Sequence, residues 1–243
     1  MLPARAMPVV SATEESPLGA AAAHDPAGLA ERLRQRYPGR ITGSAYLPAQ
    51  PGHYAAFPED MDPALLKAVK ARGVERPYTH QREAWDAVAA GADLVVVTPT
   101  ASGKTLCYNL PVLGAVRRRG AKALYLFPTK ALAQDQVAEL TELNRAGELG
   151  VRAYTFDGDT KWAQFFESLA FVVIDEVHGY RGVFGSHVAN VLRRLRRICA
   201  FYGVAPRYIL CSATIGNPQQ HAEALLGSPV RAITRSGAPQ GGR

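Results

Sequence analysis

Two short stretches combine residue types whose spacing suits phosphate chemistry. The first, Thr98-Pro99-Thr100-Ala101-Ser102-Gly103-Lys104-Thr105, ends in Gly-Lys-Thr directly before a helix-period segment. A tight loop there turns successive backbone N–H groups inward, and the helix N-terminus adds positive potential. Lys104 can then reach phosphate oxygens, and the Thr105 hydroxyl can sit on Mg²⁺. The strict phosphate-loop pattern has glycine where Thr98 stands, and the competing reading is a strand-to-helix turn with a surface lysine. The second stretch, Asp175-Glu176-Val177-His178, follows the apolar run Phe171-Val172-Val173-Ile174. A carboxylate at a strand end suits Asp175 as a magnesium holder, with Glu176 orienting and deprotonating an attacking water. The competing reading is an acidic pair capping the next turn. Each stretch strengthens the phosphate reading of the other.

The elements that must position them follow from periodicity. Leu94–Val97, Ala123–Phe127, Val151–Phe156, Phe171–Ile174 and Tyr208–Cys211 read as buried strands, and helix-period stretches lie at 103–118, 130–145, about 161–169 and 184–202. Near-continuous apolar strands alternating with amphipathic helices predict an α/β fold, a mostly parallel sheet with helices on both faces. Chemistry in such sheets lies beyond the carboxyl ends of the strands, which is where both stretches fall. Upstream, residues 1–28 are rich in Ala, Pro and Ser and read as a disordered leader. Residues 29–77 read as an extension into the main lobe. They hold a helix from Leu29 to Arg36, a Pro/Gly-rich stretch from Pro48 to Pro58, and a helix opened by Asp62-Pro63 and stopped by Gly73. The main lobe runs over 78–235, and 236–243 read as the start of a linker.

Composition narrows the function class. The formal net charge of +7, with a pI near 9.5, favours polyanionic partners. No apolar run approaches the roughly 18 residues of a membrane span, so no membrane partner is expected. The N-terminus lacks a signal-peptide pattern. Cys107, Cys199 and Cys211 are odd in number and widely spaced, which supports neither a disulfide framework nor a zinc site. A reducing, cytoplasmic location is expected.

At this point the chain resembles a known group. Gly103-Lys104-Thr105, the Asp-Glu-x-His box at 175–178 and Ser212-Ala213-Thr214 resemble motifs I, II and III of superfamily 2 helicases. More closely, the chain is similar to DEAD/DEAH-box DNA helicases of the RecQ-like repair type with a C-terminal zinc domain. The matching segments are Tyr78–Gln81, Thr98–Pro111, Phe127–Gln136 and His178–His187, and the likeness covers about residues 40–243. In that group Thr98 in place of glycine is normal. The resemblance implies a RecA-like P-loop domain that binds ATP and Mg²⁺ and hydrolyses ATP as it moves along single-stranded or duplex DNA.

The resemblance also implies roles by position. Thr100, Ala101, Ser102, Gly103, Lys104 and Thr105 hold nucleotide. Gln81, 23 residues before Lys104, reads adenine, its bland alternative being a helix-cap residue. Pro128, Thr129 and Lys130 grip a DNA backbone, against an ordinary helix start. Ser212, Ala213 and Thr214 couple ATP state to strand binding, against a simple helix cap, and His178 couples the two sites. Arg193, Arg194, Arg196 and Arg197 read as a solvated or DNA-facing basic face, with Leu192, Leu195 and Ile198 inward. Arg117-Arg118-Arg119 ends a helix with no partner assigned. Tyr180-Arg181-Gly182 could touch DNA.

The chain departs from the family pattern twice. It ends on a linker-like segment, so a second RecA-like lobe, its arginine finger and the zinc domain are expected to be absent. Between Asp157 and Ala170 it is shorter than the pattern by on the order of 40 residues, about one βαβ unit, and the sheet is expected to lose a strand. The alternative function is therefore a catalytically weak or inactive remnant that binds only nucleotide or nucleic acid.

Overall fold

The computed structural model describes residues 26–40, 43, 47–154 and 162–241. Two units are distinguished. The smaller contains helix α1 (Pro26–Arg36) and an antiparallel bridge between Gln50 and Gln240. The larger, Pro51–Pro239, contains every named strand.

In the larger unit the helices are α2 (Pro63–Ala71), α3 (Thr79–Ala89), α4 (Lys104–Arg119), α5 (Lys130–Gly147), α6 (Trp162–Phe166), α7 (Gly182–Phe201) and α8 (Pro218–Leu226). The strands are β1 (Leu94–Val97), β2 (Lys122–Leu126), β3 (Leu169–Ile174), β4 (Arg207–Ser212) and β5 (Arg231–Ile233). Their order in the sheet is β2-β3-β4-β1-β5, and every neighbouring pair is parallel. The expected α/β architecture is therefore present.

Side-chain alternation explains why the sheet is covered on both faces. Val95, Val97, Val172, Ile174, Tyr208 and Leu210 join one buried cluster with Leu192 and Leu195 of α7 and Leu225 and Leu226 of α8. Their sequence neighbours Leu94, Val96, Phe171, Val173, Ile209 and Cys211 point the other way, to Cys107, Tyr108 and Val112 of α4 and Ala84 and Ala87 of α3. Each fully buried aliphatic side chain contributes roughly 1.5–3 kcal/mol, so both helical layers are anchored by the strands that end at the site.

Local signals set the helix ends. Asp62 Oδ1 accepts from the N–H of Ala64 at 2.9 Å and of Leu65 at 3.1 Å, and Pro63 takes the first turn of α2. A third buried cluster seats α2 beside α4 and α5. Gly147 permits this close approach: a Cβ there would lie 2.5 Å from the Ala64 carbonyl oxygen.

Several expectations change. Residues 151–154 are irregular rather than strand, and 155–156 lie outside the described residues. The helix expected at about 161–169 is only α6, because Leu169 already opens β3. β2 is an edge strand, half-buried along its length. Arg117 and Arg118 have partners within the chain: Arg117 donates to the Leu149 carbonyl at 2.9 Å and Arg118 to Asp60 at 2.7 Å. Ile198 is exposed rather than inward.

Arg196 leaves the basic face. Its guanidinium lies over the Tyr208 ring, 4.7 Å from the centroid, and it donates to Ser228 Oγ at 2.6 Å. At 100° per residue it falls on the packed side of α7, while Arg193, Arg194 and Arg197 remain exposed. Tyr180 is buried and stacks on Phe184, so its ring is not presented to a partner.

Candidate nucleotide site at the carboxyl ends of the strands

The loop after β1 is shaped by its own residues. Ala101 and Gly103 both have positive φ, 63° and 75°. Gly103 is the left-handed residue from which α4 starts, and a Cβ on it would meet Gln81 Nε2 at 2.6 Å. The Thr98 and Ser102 hydroxyls close the loop on itself at 2.6 Å, both buried. Thr98, the non-glycine position, thus serves as the loop's hydroxyl latch. Lys104 Nζ donates to the carbonyls of Thr98 at 2.9 Å and Pro99 at 3.1 Å. Among the described residues the N–H groups of Gly103, Lys104 and Thr105 donate to no protein acceptor. Three unpaired donors, a helix N-terminus and an ammonium suit an anion.

The first turn of α3 braces this loop. Gln81 Oε1 accepts from the N–H of Tyr78 at 2.9 Å, and its Nε2 donates to the Gly103 carbonyl at 2.9 Å. Gln81 therefore acts as a helix cap and as a strut under the loop. Its amide keeps one further N–H and one lone pair, although the side chain is only 2% exposed.

Across the sheet, Asp175 follows β3, and β4 separates β3 from β1. Asp175 Oδ1 accepts from the N–H of Glu176 at 2.8 Å, and Oδ2 accepts from the Tyr108 hydroxyl at 3.2 Å. Tyr108 lies on α4, so the lysine helix and the acidic strand end are joined by one hydrogen bond. Burial pushes the Asp175 carboxyl up; the Glu176 amide, the Tyr108 hydroxyl and the Lys104 charge act against that, and the Glu176 charge adds to it. Burial, then the Asp175 charge, pushes the Tyr108 phenol far up, and a hydrogen bond from Thr105 opposes this. Lys104, Thr105, Tyr108 and Asp175 thus share one electrostatic neighbourhood.

Glu176 has a left-handed backbone, φ 53° and ψ 41°, unusual for a non-glycine residue. It opens a 3-10 turn, Val177–Gly179, whose Val177 carbonyl is 2.9 Å from His221 Nε2 of α8. His178 Nδ1 lies 3.1 Å from Glu176 Oε2, without hydrogen-bond geometry. Ser212 ends β4 between the two motifs, opposite Val97. It is fully buried, and its hydroxyl has no partner among the described residues. Ala213 is half-buried and Thr214 exposed. Pro128, Thr129 and Lys130 are exposed after β2, and Thr129 caps α5 by accepting from the N–H of Leu132 at 3.3 Å.

The sequence-predicted residues therefore gather along one end of the sheet, on consecutive strands. Sequence reasoning missed Tyr108, His80 and His221, whose partners lie 67, 22 and 44 residues away. Among the described residues, no three His, Cys, Asp or Glu side chains cluster to hold a metal. Thr105 and Asp175 offer the hydroxyl and carboxylate oxygens that a magnesium ion with phosphate and water ligands takes. No helix among the described residues is long and apolar enough to cross a membrane.

The chain is similar to several known proteins. The family model described as DEAD/DEAH box helicase matches residues 78–167 and 151–222. The uncharacterized ATP-dependent helicase YprA of Bacillus subtilis is 47% identical over 217 residues, which is 76% of this chain and 29% of YprA. The ATP-dependent helicase hrq1 of Schizosaccharomyces pombe is 34% identical over 85% of this chain and 23% of its own length. The chain thus spans under a third of these curated relatives. The structure of the DUF1998 helicase MrfA bound to DNA superposes with a TM-score of 0.83 at 42% identity, covering 88% of this chain and 35% of MrfA. The same helicase bound to DNA and AMPPNP gives 0.82 at 42% identity, covering 87% of this chain and 35% of that one.

Proposed function

The chain belongs to the DEAD/DEAH box helicase family, and from that premise we propose that it is the nucleotide-binding motor lobe of an ATP-dependent DNA helicase of the RecQ-like repair type. The observation that carries this is the loop at 98–105, with three unpaired N–H groups and Lys104, tied through Tyr108 to Asp175.

The residues divide the work by chemistry. Thr100, Ala101 and Ser102 shape the loop, and the Gly103, Lys104 and Thr105 amides bind phosphate oxygens. Lys104 turns from the Thr98 and Pro99 carbonyls to the phosphates, exchanging neutral acceptors for charged ones. Thr105 and Asp175 hold Mg²⁺, which supplies charge neutralisation at the transferring phosphate. Glu176 orients and deprotonates the attacking water. Gln81 offers its remaining N–H and lone pair to adenine. The unpaired Ser212 hydroxyl, with Ala213, Thr214 and His178, passes the change at the phosphates to strand binding. Pro128, Thr129 and Lys130 present the start of α5 to a DNA backbone, single-stranded or duplex. A cytoplasmic location belongs to this reading.

The test is equilibrium binding of a fluorescent ATP analogue with Mg²⁺. The wild-type chain binds, and Lys104→Ala loses most of that affinity; unchanged affinity refutes the phosphate assignment. Binding to single-stranded DNA should weaken steeply with salt through counterion release, and a salt-insensitive complex counts against the backbone contacts.

A further inference from the structure

We infer that His80 is a positioning residue for the phosphate loop, and that the segment around Gly237 sets the state in which it works; this rests on the nucleotide reading above. His80 is 1% exposed. Its Nδ1 accepts from the backbone N–H of Gly237 at 3.1 Å. A backbone N–H can only donate, so Nδ1 carries no proton and Nε2 carries it. Nε2 lies 3.1 Å from the Ser102 carbonyl oxygen and donates to it. The imidazole is therefore a neutral bridge with a fixed tautomer. Burial, the largest influence, lowers its pKa and keeps it neutral.

The consequence follows from peptide geometry. In a trans peptide the C=O and N–H point in opposite directions. The Ser102 carbonyl shares its plane with the Gly103 N–H, and the Gly103 carbonyl shares its plane with the Lys104 N–H. His80 holds the first carbonyl and Gln81 the second, both from the first turn of α3. Two adjacent side chains thus aim two adjacent N–H groups away from α3, and both N–H groups lack a protein acceptor among the described residues. Donors fixed beforehand bind an anion without a reorganisation cost.

Gly237 is placed so that its conformation reaches the loop through His80. Its carbonyl accepts from His53 N–H at 2.7 Å. A Cβ at 237 would fall 2.4 Å from Thr79 Oγ1 and 2.7 Å from the His53 carbonyl oxygen. The segment is thus pressed against the strap that precedes α3. A shift of this segment removes the donor to Nδ1, frees the tautomer, and loosens the Ser102 peptide.

Two substitutions separate the two ends of the imidazole. In His80→Asn the amide oxygen stands near the Nδ1 position and can serve Gly237, but nothing reaches Ser102. In His80→Gln an amide N–H stands near the Nε2 position and can serve Ser102. Titrations with fluorescent ADP and ATP analogues should show His80→Asn weakened by about three- to tenfold, the range for one hydrogen bond. His80→Gln should stay within about twofold of wild type by the same reasoning. Equal losses in both variants, or none in either, overturn the inference. A wild-type chain that binds neither analogue overturns the nucleotide reading and this one with it. Should either variant fail to fold, ¹⁵N-imidazole NMR of the wild type decides. It must show His80 protonated at Nε2 alone, with that resonance moving when Mg-ADP is added; the opposite tautomer or an unmoved resonance overturns it.

Discussion

Tyr108→Phe isolates the bond between the lysine helix and the acidic strand end. The substitution keeps a buried ring in the core and removes only the hydroxyl that donates to Asp175 Oδ2 at 3.2 Å. Packing should survive, since Tyr108 is fully buried among Cys107, Val112 and Val173, contacts that Phe retains. Asp175 would keep one described partner, the Glu176 N–H at 2.8 Å, and its ionised form would be left less well solvated in a buried setting. Hydrogen bonds to charged groups contribute roughly 1.5–3 kcal/mol, and 3.2 Å is long for an O–H donor to a carboxylate. The lower end therefore applies, about 1.5 kcal/mol, which corresponds to about a tenfold loss in metal affinity. The assay is a Mg²⁺ titration of ATP-analogue binding at fixed analogue concentration. The half-saturating Mg²⁺ concentration should rise by about tenfold, while binding in EDTA stays as in wild type and the melting temperature falls by only about 3–6 °C. A Mg²⁺ requirement unchanged in a folded Tyr108→Phe protein would show that the phenol does not tune Asp175.

Three further outcomes follow from the same geometry. Gly103→Ala forces a non-glycine residue to φ 75°, costing roughly 1–2 kcal/mol, and drives a Cβ to 2.6 Å from Gln81 Nε2; thermal melting should fall by about 2–8 °C, and an unshifted melt refutes the strut. His80 has a depressed pKa in the fold, so the unfolded chain takes up its proton first: its contribution is complete above pH 6.5, the ordinary value, and is lost as pH falls toward the folded pKa. Urea unfolding should therefore show stability falling as pH drops below 6.5, by at most about 1.4 kcal/mol per pH unit from this group, a fall absent in His80→Gln; identical slopes contradict it. Arg196→Ala loses the Tyr208 stack and the Ser228 bond and should cost about 1–2 kcal/mol in urea, against under about 0.5 kcal/mol for Arg193→Ala or Arg194→Ala; equal costs would put Arg196 back on the solvated face.

What could be read from the sequence divides by the distance over which a signal acts. The four strands β1 to β4 were legible because parallel strands covered on both faces are apolar without interruption. The ends of α2 were legible because Asp62, Pro63 and Gly73 act on backbone groups within a few residues of themselves. β5 was not, since Arg231-Ala232-Ile233 is three residues long and is a strand only because β1 offers it an edge. α8 carries a start and stop, Asn217-Pro218 and Gly227, but lies after the last apolar strand run, in a part of the main lobe that periodicity alone leaves without an element. Arg196 differs from Arg193 and Arg197 only by helical angle, and a rotation of about 100°, one residue, decides whether a guanidinium meets solvent or Tyr208.

The site itself shows the same division more sharply. Its motifs were legible because each lies where a strand ends and each chemistry needs a short run: a glycine before a lysine, a carboxylate after four apolar residues. The side chains that hold those runs in place were not. His80 and Gln81 brace a loop about 22 residues later in the chain, Tyr108 reaches a carboxylate 67 residues later, and neither separation has a period. Gln81 shows how the two levels meet. The helix-cap reading is present in the geometry, since the amide oxygen caps α3, and the nitrogen of the same amide holds Gly103 in the loop. A residue that ends one element and props the next ties the start of α3 to the start of α4. Any change that tilts α3 must therefore tilt the amides that open α4.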